Sequence, residues 1–82
     1  MFQIAWMDAS IDGLADLSLL HQHRWADINS AVDLIEYRLQ RNPLAHSGEV
    51  SEGLRRIDVR PVAVCFSISG TMVTIESIGW IG

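Results

Sequence analysis

The chain is poor in cysteine, since Cys65 is the only one among its 82 residues. No internal disulfide can form, so the core or a partner must hold so short a chain together. A lone thiol inside an apolar run is typical of a small core residue, and it fits a reducing cytoplasm.

Long hydrophobic runs are also missing. No apolar stretch reaches the roughly 18 residues that a membrane-spanning helix needs. The N-terminal segment Met1–Ile4 lacks the cationic start and the long apolar stretch of a signal peptide. Because 49% of the residues are nevertheless hydrophobic, disorder is excluded. We therefore expect a soluble, cytoplasmic protein with no membrane partner.

Positive charge is scarce. Six basic residues stand against ten acidic ones, and the formal net charge is −4. Nucleic-acid binders usually present a basic surface, because contacts to phosphates release counterions. The overall field of this chain repels RNA and DNA, so a nucleic-acid role requires a local basic patch or a partner.

The N-terminal half predicts one strand and two helices. Residues 2–7 alternate with the period of a half-buried strand, and Asp8 and Ser10 are suitable N-caps for a first helix. The second helix ends at Asn42-Pro43, because the residue before a proline avoids helical geometry. The break between the helices lies within residues 21–24. The second helix carries the clearest apolar stripe of the chain: Trp25, Ile28, Ala31 or Val32, Ile35 and Leu39.

The C-terminal half predicts a loop and three strands. Residues 44–53 are polar with two glycines and indicate a loop, and residues 54–60 predict a strand with three arginines. Residues 62–68 and 72–81 predict a tight antiparallel hairpin around Ser69-Gly70. We expect a single α+β domain over residues 1–82, with two N-terminal helices packed on a three- to four-stranded, mainly antiparallel sheet. The N-terminal strand is expected at one edge.

The order and spacing of several segments resemble the RelE/ParE family of bacterial toxins. The resemblance runs from Phe2 to Ile81 and is carried by short motifs rather than by one signature. These motifs are the second-helix stripe with Arg24, the helix end at Asn42-Pro43, Gly48-Glu49, the basic strand Leu54-Arg55-Arg56-Ile57, the central strand from Pro61 to Ile68, and the final apolar strand from Val73 to Ile78.

The resemblance implies a toxin of a type II toxin–antitoxin system, with a small cognate antitoxin as its partner. One branch of the family cuts messenger RNA on the ribosome, and the other inhibits DNA gyrase. Plasmid stabilisation is a role that the family also implies. A diverged relative with a regulatory or structural role is a third interpretation.

RNA cleavage needs a base, an acid and cations aimed at the phosphate. Nuclease members of the family carry an arginine on the central strand, an aromatic residue shortly after it, and an ionisable residue near the C-terminal end of the sheet. The matching positions here are Ala63, Phe66 and Gly79 or Trp80, and none of them can transfer a proton. The resemblance therefore favours a protein that binds a partner, with the ribosome-dependent endoribonuclease as the alternative.

Arg55, Arg56 and Arg60 are the candidate binding residues, because half of the chain's six basic side chains lie within six positions. The three would contact a phosphate group or a protein partner. The alternative is a solvated edge strand that charge protects from aggregation. Strand alternation predicts that Arg56 and Arg60 share a face and that Arg55 points the other way.

The remaining candidates carry weaker signals. His21, His23 and His46 are not accompanied by the cysteine or carboxylate cluster of a metal site, and neither a metal nor a cofactor is expected. His46 and Glu49 have the residue types of an acid–base pair, but such a pair is commonplace in a loop. Packing in the core or at an interface is the expected role of Trp6, Trp25 and Trp80, although Trp80 near the end of the chain could mark a docking point, and Tyr37 is expected at the surface.

Overall fold

Two helices pack on one face of a five-stranded sheet in the computed structural model, which describes all 82 residues. Neither α-helix combines the length with the hydrophobicity that a membrane-spanning helix requires. A single 3₁₀ turn, Gln22–Arg24, separates the helices. In chain order the elements are β1 (Gln3–Trp6), α1 (Asp8–Leu20), α2 (Trp25–Arg41), β2 (Gly48–Ser51), β3 (Leu54–Val59), β4 (Val62–Ser69) and β5 (Met72–Trp80).

The strands lie in the order β1-β5-β4-β3-β2. Strands β2 to β5 form an antiparallel meander, and β1 pairs with β5 in parallel at the far edge. The predicted α+β class, the two helices on one sheet and the edge position of the N-terminal strand are confirmed. The predicted three or four strands are too few, and the sheet is mixed. A strand, β1, also precedes the two helices.

The missing strand is β2, which lies inside the segment that the sequence predicted as a loop. Its four residues are all exposed and show no apolar alternation. Pairing with β3, from Gly48 opposite Arg56 to Ser51 opposite Leu54, is what makes this segment a strand. Such a contact between segments leaves no local periodicity to detect.

The predicted hairpin between the last two strands is present. Ser69 pairs with Met72, so only Gly70 and Thr71 form the connection. Gly70 has a φ of 60°, which a two-residue hairpin turn requires and which glycine adopts at little cost.

The core lies between the helices and the sheet. The apolar stripe of α2 is buried from Ile28 to Leu39, as predicted, but Trp25 at its start is 61% exposed. Phe66 is fully buried at the centre of β4. The buried apolar cluster comprises Leu17, Ile28, Ala31, Val32, Ile35, Leu39, Ile57, Val62, Val64, Phe66, Val73 and Ile75.

A bulge in β5 decides which of its side chains enter this core. Cys65 pairs with Ser77 and Phe66 pairs with Ile75, so Glu76 is an extra residue in β5. Without it, Ile75 and Ile78 would point to opposite sides of the sheet, because they are three positions apart. The bulge lets both pack against the helices.

Helix α1 lies unusually close to β5. The buried Ser10 Oγ is 2.6 Å from the Met7 carbonyl oxygen and 3.0 Å from the Ile75 carbonyl oxygen. A Cβ on Gly13 would lie 3.2 Å from Ile78 Cγ2. The prediction of Asp8 and Ser10 as N-caps was wrong, because Met7 is the N-cap of α1. Asp8 is instead the first residue of the helix, and Ser10 links the helix to the strand.

The predicted break between the helices falls where expected. Leu20 ends α1, and the His21 ring stacks on the Trp80 ring with centroids 3.6 Å apart and an angle of 4°. The Arg24 guanidinium lies 5.3 Å from the centre of the same indole. The end of β5 thus anchors the turn between α1 and α2.

We predict that Gly13→Val destabilises the protein by about 1–3 kcal/mol, because the new side chain must displace Ile78 and is crowded within a helix. Gly79→Val is the matched control, since a Cβ there meets nothing within 4 Å. Thermal and urea unfolding of both variants measure the difference. Equal stability of Gly13→Val and the parent would contradict the close approach of α1 to β5.

Candidate functional site

The face of the sheet opposite the helices is uncovered, and we call it the open face. Strand alternation places on it Arg56 and Asp58 of β3, Ala63 and Cys65 of β4, and Ser77 and Gly79 of β5. Cys65 is thus half-buried on this face and not in the core, where the sequence had placed it.

Small side chains form a shallow depression in the open face. Ala63 pairs with Gly79 and Cys65 pairs with Ser77, so four small residues lie in two adjacent rows. The depression has a volume of about 280 Å³. Its lining consists of Arg56, Ala63, Cys65, Ser77, Ile78, Gly79, Trp80 and Ile81.

Arg56 is the candidate arginine that lies on the open face. Its Nε donates to Asp58 Oδ1 at 2.6 Å, and its Nη2 donates to Asp58 Oδ2 at 3.2 Å. The hydrogen bond to Asp58 and the negative charge of that carboxylate raise the pKa of Arg56 above its ordinary value. The positive charge is therefore balanced locally, and the exposed pair adds little stability.

Arg55 points to the other side of β3, as predicted, and holds a loop in place. Its Nε donates to Ser47 Oγ at 2.9 Å, and its Nη2 donates to the Ser47 carbonyl oxygen at 2.9 Å. The Ser47 hydroxyl in turn donates to the Pro43 carbonyl oxygen at 2.6 Å. Arg55 thus fastens the segment after α2 to β3, a role that the sequence did not indicate.

Arg60 lies outside β3 and in a third environment. Its Nη1 donates to the Gly82 carbonyl oxygen at 2.9 Å. It lines a groove of about 320 Å³ beside α2 together with Arg24, Asp27 and Leu34. The structure therefore does not bring the three candidate arginines into one patch, and contact of any of them with a partner stays a prediction.

A second depression, of about 350 Å³, lies next to Arg56 at the β2 edge. It brings His46 and Glu49 together with Arg56 and Asp58, four ionisable residues around one hollow. Asp58 already holds the guanidinium of Arg56 through two hydrogen bonds, so the hollow offers a phosphate little uncompensated positive charge. The sequence could not predict this group, because it depends on β2 pairing with β3.

The positions that match the family's nuclease residues lie on opposite faces of the sheet. Ala63 lies on the open face, whereas Phe66 is fully buried among the helix-facing side chains. Trp80 faces the helices as well, stacked against His21. A hydroxyl or an imidazole at position 66 would therefore not reach a substrate on the open face of this protein.

The other candidates occupy separate places. His21 stacks on Trp80, His23 is exposed in the 3₁₀ turn, and His46 lines the hollow at the β2 edge. Trp6 packs against the core, and Tyr37 is exposed at the surface, as predicted.

No family model matches the chain, and no curated protein matches it in sequence. Solved structures do match its fold. The chromosomal ParDE TA system from P. aeruginosa matches with a TM-score of 0.81 and 17% identity, over 100% of this chain and 98% of that one.

Two further structures match nearly the whole chain. YafQ from E. coli strain BL21(DE3) has a TM-score of 0.66 and 17% identity, covering 98% of this chain and 93% of that one. The conserved hypothetical protein HP0894 from Helicobacter pylori has a TM-score of 0.57 and 10% identity, covering 98% and 94%. The resemblance to RelE/ParE toxins is thus confirmed at the level of the fold.

We predict opposite outcomes for the two neighbouring arginines. Arg55→Ala should cost about 1–3 kcal/mol of stability, because Ser47 loses two charge-assisted hydrogen bonds. Arg56→Ala should leave the melting temperature nearly unchanged, since its ion pair is exposed. Urea unfolding of both variants compares them directly. A larger loss in Arg56→Ala than in Arg55→Ala would contradict these roles.

Proposed function

We propose that this chain is the toxin-family component of a type II toxin–antitoxin system and acts by binding protein partners, first of all a cognate antitoxin. The likeness to the P. aeruginosa ParDE system supports this, because it extends over the full chain and nearly the full length of that protein. The sequence resemblance points to the same family.

The observation that carries the proposal is Gly79 in the open face. Glycine weakens a strand interior, and it often marks a place where another backbone or a ligand approaches closely. Gly79 has no positive φ, and a Cβ there would meet nothing within 4 Å. Neither the backbone conformation at position 79 nor packing within the chain requires glycine. A partner that lies across Ala63 and Gly79 would require it, because a side chain at position 79 would collide with that partner.

The chemistry of the open face favours binding over RNA cleavage. Cleavage needs unpaired cations for the phosphate and a proton donor and acceptor near the reacting oxygens. The arginine of this face, Arg56, is paired with Asp58, and the thiol of its cross-strand neighbour Cys65 is the only other titratable side chain that lines the depression. One thiol does not supply both the proton donor and the proton acceptor. Of the two targets that the family implies, we therefore propose DNA gyrase rather than ribosome-bound messenger RNA.

Controlled expression in a bacterial host tests the function. We expect expression to arrest growth, and co-expression of the small protein encoded by the adjacent gene to restore growth and form a complex with the chain. Absence of both arrest and complex would reject the proposal in favour of a diverged relative with another role.

We predict that Gly79→Gln weakens binding of the antitoxin while the fold remains stable. The longer side chain has free space in the isolated protein but would occupy the surface that the partner covers. Thr71→Gln, on the exposed turn before β5, is the matched control and should bind normally. Calorimetric titration should show a loss of at least about tenfold, or roughly 1.4 kcal/mol, for Gly79→Gln alone. Unchanged binding would remove the open face from the interface.

The hollow that joins His46 to Arg56 keeps the ribosome-dependent endoribonuclease as the second candidate. An imidazole beside a guanidinium could take a proton while the phosphate is held. We predict no cleavage of translated messenger RNA by the purified protein, because the Arg56 guanidinium that would have to hold the phosphate is already paired with Asp58. Cleavage by the parent protein that disappears in His46→Ala, with the fold intact, would establish the nuclease instead.

A further inference from the structure

Several large apolar side chains of helix α1 do not pack against the rest of the protein. One side of the helix faces β5 through Ser10 and Gly13, with Leu14 and Leu17 against the core. Large apolar side chains on other sides of α1 remain in solvent, with exposed fractions of 51% for Ile11, 67% for Leu19 and 75% for Leu20. The fold provides no partner for them, and exposed apolar groups of this kind often mark interaction surfaces.

The exposed residues of α1 form two adjacent lines. Ile11, Ala15 and Leu19 are each four positions apart and make an apolar ridge, because residues i and i+4 lie on one face of a helix. Asp8, Asp12 and Asp16 have the same spacing and make an acidic ridge beside it. We call these six residues the outer face of α1.

The acidic ridge has no basic partner within the chain. The ion pairs of the structure join Arg24 to Asp27 and Arg56 to Asp58, and neither involves α1. Asp8 lies in the first turn, where the helix dipole favours a negative charge. Asp12 and Asp16 lack that benefit, and like charges four positions apart destabilise a helix. The fold alone therefore gives no reason for this ridge.

We propose that the outer face of α1 binds a basic amphipathic helix of another protein. A partner with apolar residues at every fourth position can pack its ridge beside Ile11, Ala15 and Leu19, with the helices crossing at about −50°. Lysine or arginine residues on the adjacent line of the partner then meet Asp8, Asp12 and Asp16. Burial of the apolar ridge supplies affinity, and the opposite charges supply orientation and a fast encounter.

The charge of the outer face argues against other occupants. An anionic membrane surface and a nucleic acid are both repelled by three unpaired carboxylates. A second copy packed antiparallel through α1 would place the two acidic ridges against each other, and a parallel copy would leave both ridges without a basic partner. A basic amphipathic helix can cover the apolar ridge and pair with the carboxylates of the acidic ridge at the same time.

This inference goes beyond the proposed function, because α1 and the open face lie on opposite sides of the sheet. The two surfaces can be occupied together, by two segments of one protein or by two proteins. An experiment that finds no binding at one surface therefore leaves binding at the other surface untested.

The test uses the whole chain and two synthetic helical peptides. Both peptides carry leucine at every fourth position along one line, and the next line is lysine in one peptide and glutamate in the other. Amide chemical-shift mapping by NMR locates the bound peptide, and calorimetry at low and high salt measures its affinity. We expect the lysine peptide to shift residues of α1 and to bind at least about tenfold more tightly than the glutamate peptide.

Matched variants separate the two ridges. Asp12→Asn combined with Asp16→Asn should weaken the lysine peptide by about tenfold or more and reduce its salt dependence. Leu19→Ser should weaken it as well, whereas Glu52→Gln, on the β2–β3 turn, should have no effect. Melting temperatures close to that of the parent show that each variant is folded.

Three outcomes would overturn the proposal. They are equal binding of the two peptides, chemical shifts confined to the open face, and unchanged affinity in the double asparagine variant. Concentration-dependent self-association that Leu19→Ser abolishes would instead assign the outer face of α1 to a second copy of the chain.

Discussion

Helix α1 is attached to β5 through the carbonyl group of Ile75, and the other elements are arranged around this attachment. The Met7 amide donates to the Ile75 oxygen at 3.0 Å, and the Ser10 hydroxyl lies 3.0 Å from it. This carbonyl group is next to Glu76, the extra residue of the bulge. One acceptor thus joins the end of β1, the first turn of α1 and the bulged strand. Gly13 then allows the helix to lie close to Ile78.

The bulge links this attachment to the open face. Because Glu76 is inserted, Ile75 and Ile78 both pack toward the helices, and Ser77 and Gly79 fall on the opposite side. The same irregularity that completes the core therefore leaves small residues on the uncovered surface. The core and the proposed binding surface thus depend on one feature of β5, but they lie on different faces of the strand.

The two proposed surfaces differ in their physical character. The open face is formed by small residues and one neutralised ion pair, so shape decides what can approach it. The outer face of α1 combines an apolar ridge with unpaired carboxylates, so charge selects its partner. An acidic chain that repels nucleic acids can still bind proteins tightly, because apolar burial supplies most of the free energy of association.

Local patterns in the sequence determined several features by themselves. The apolar stripe from Ile28 to Leu39 predicted α2, since its spacing matches the helical period. Alternation in residues 62–68, and the Ser69-Gly70 turn, predicted the final hairpin. These two predictions need only neighbouring residues. The expectation that the chain is not a nuclease is of another kind, because it rests on the resemblance to the RelE/ParE family, which gives the neutral residues at positions 63 and 79 their meaning.

Tertiary structure alone decided the rest. It made a strand of Gly48–Ser51, inserted the bulge at Glu76, stacked His21 on Trp80, and sent Arg55, Arg56 and Arg60 to three environments. These outcomes depend on contacts between segments that are distant in the chain. Periodicity reports which side of an element is buried, but it does not report what that side, or the exposed one, will meet.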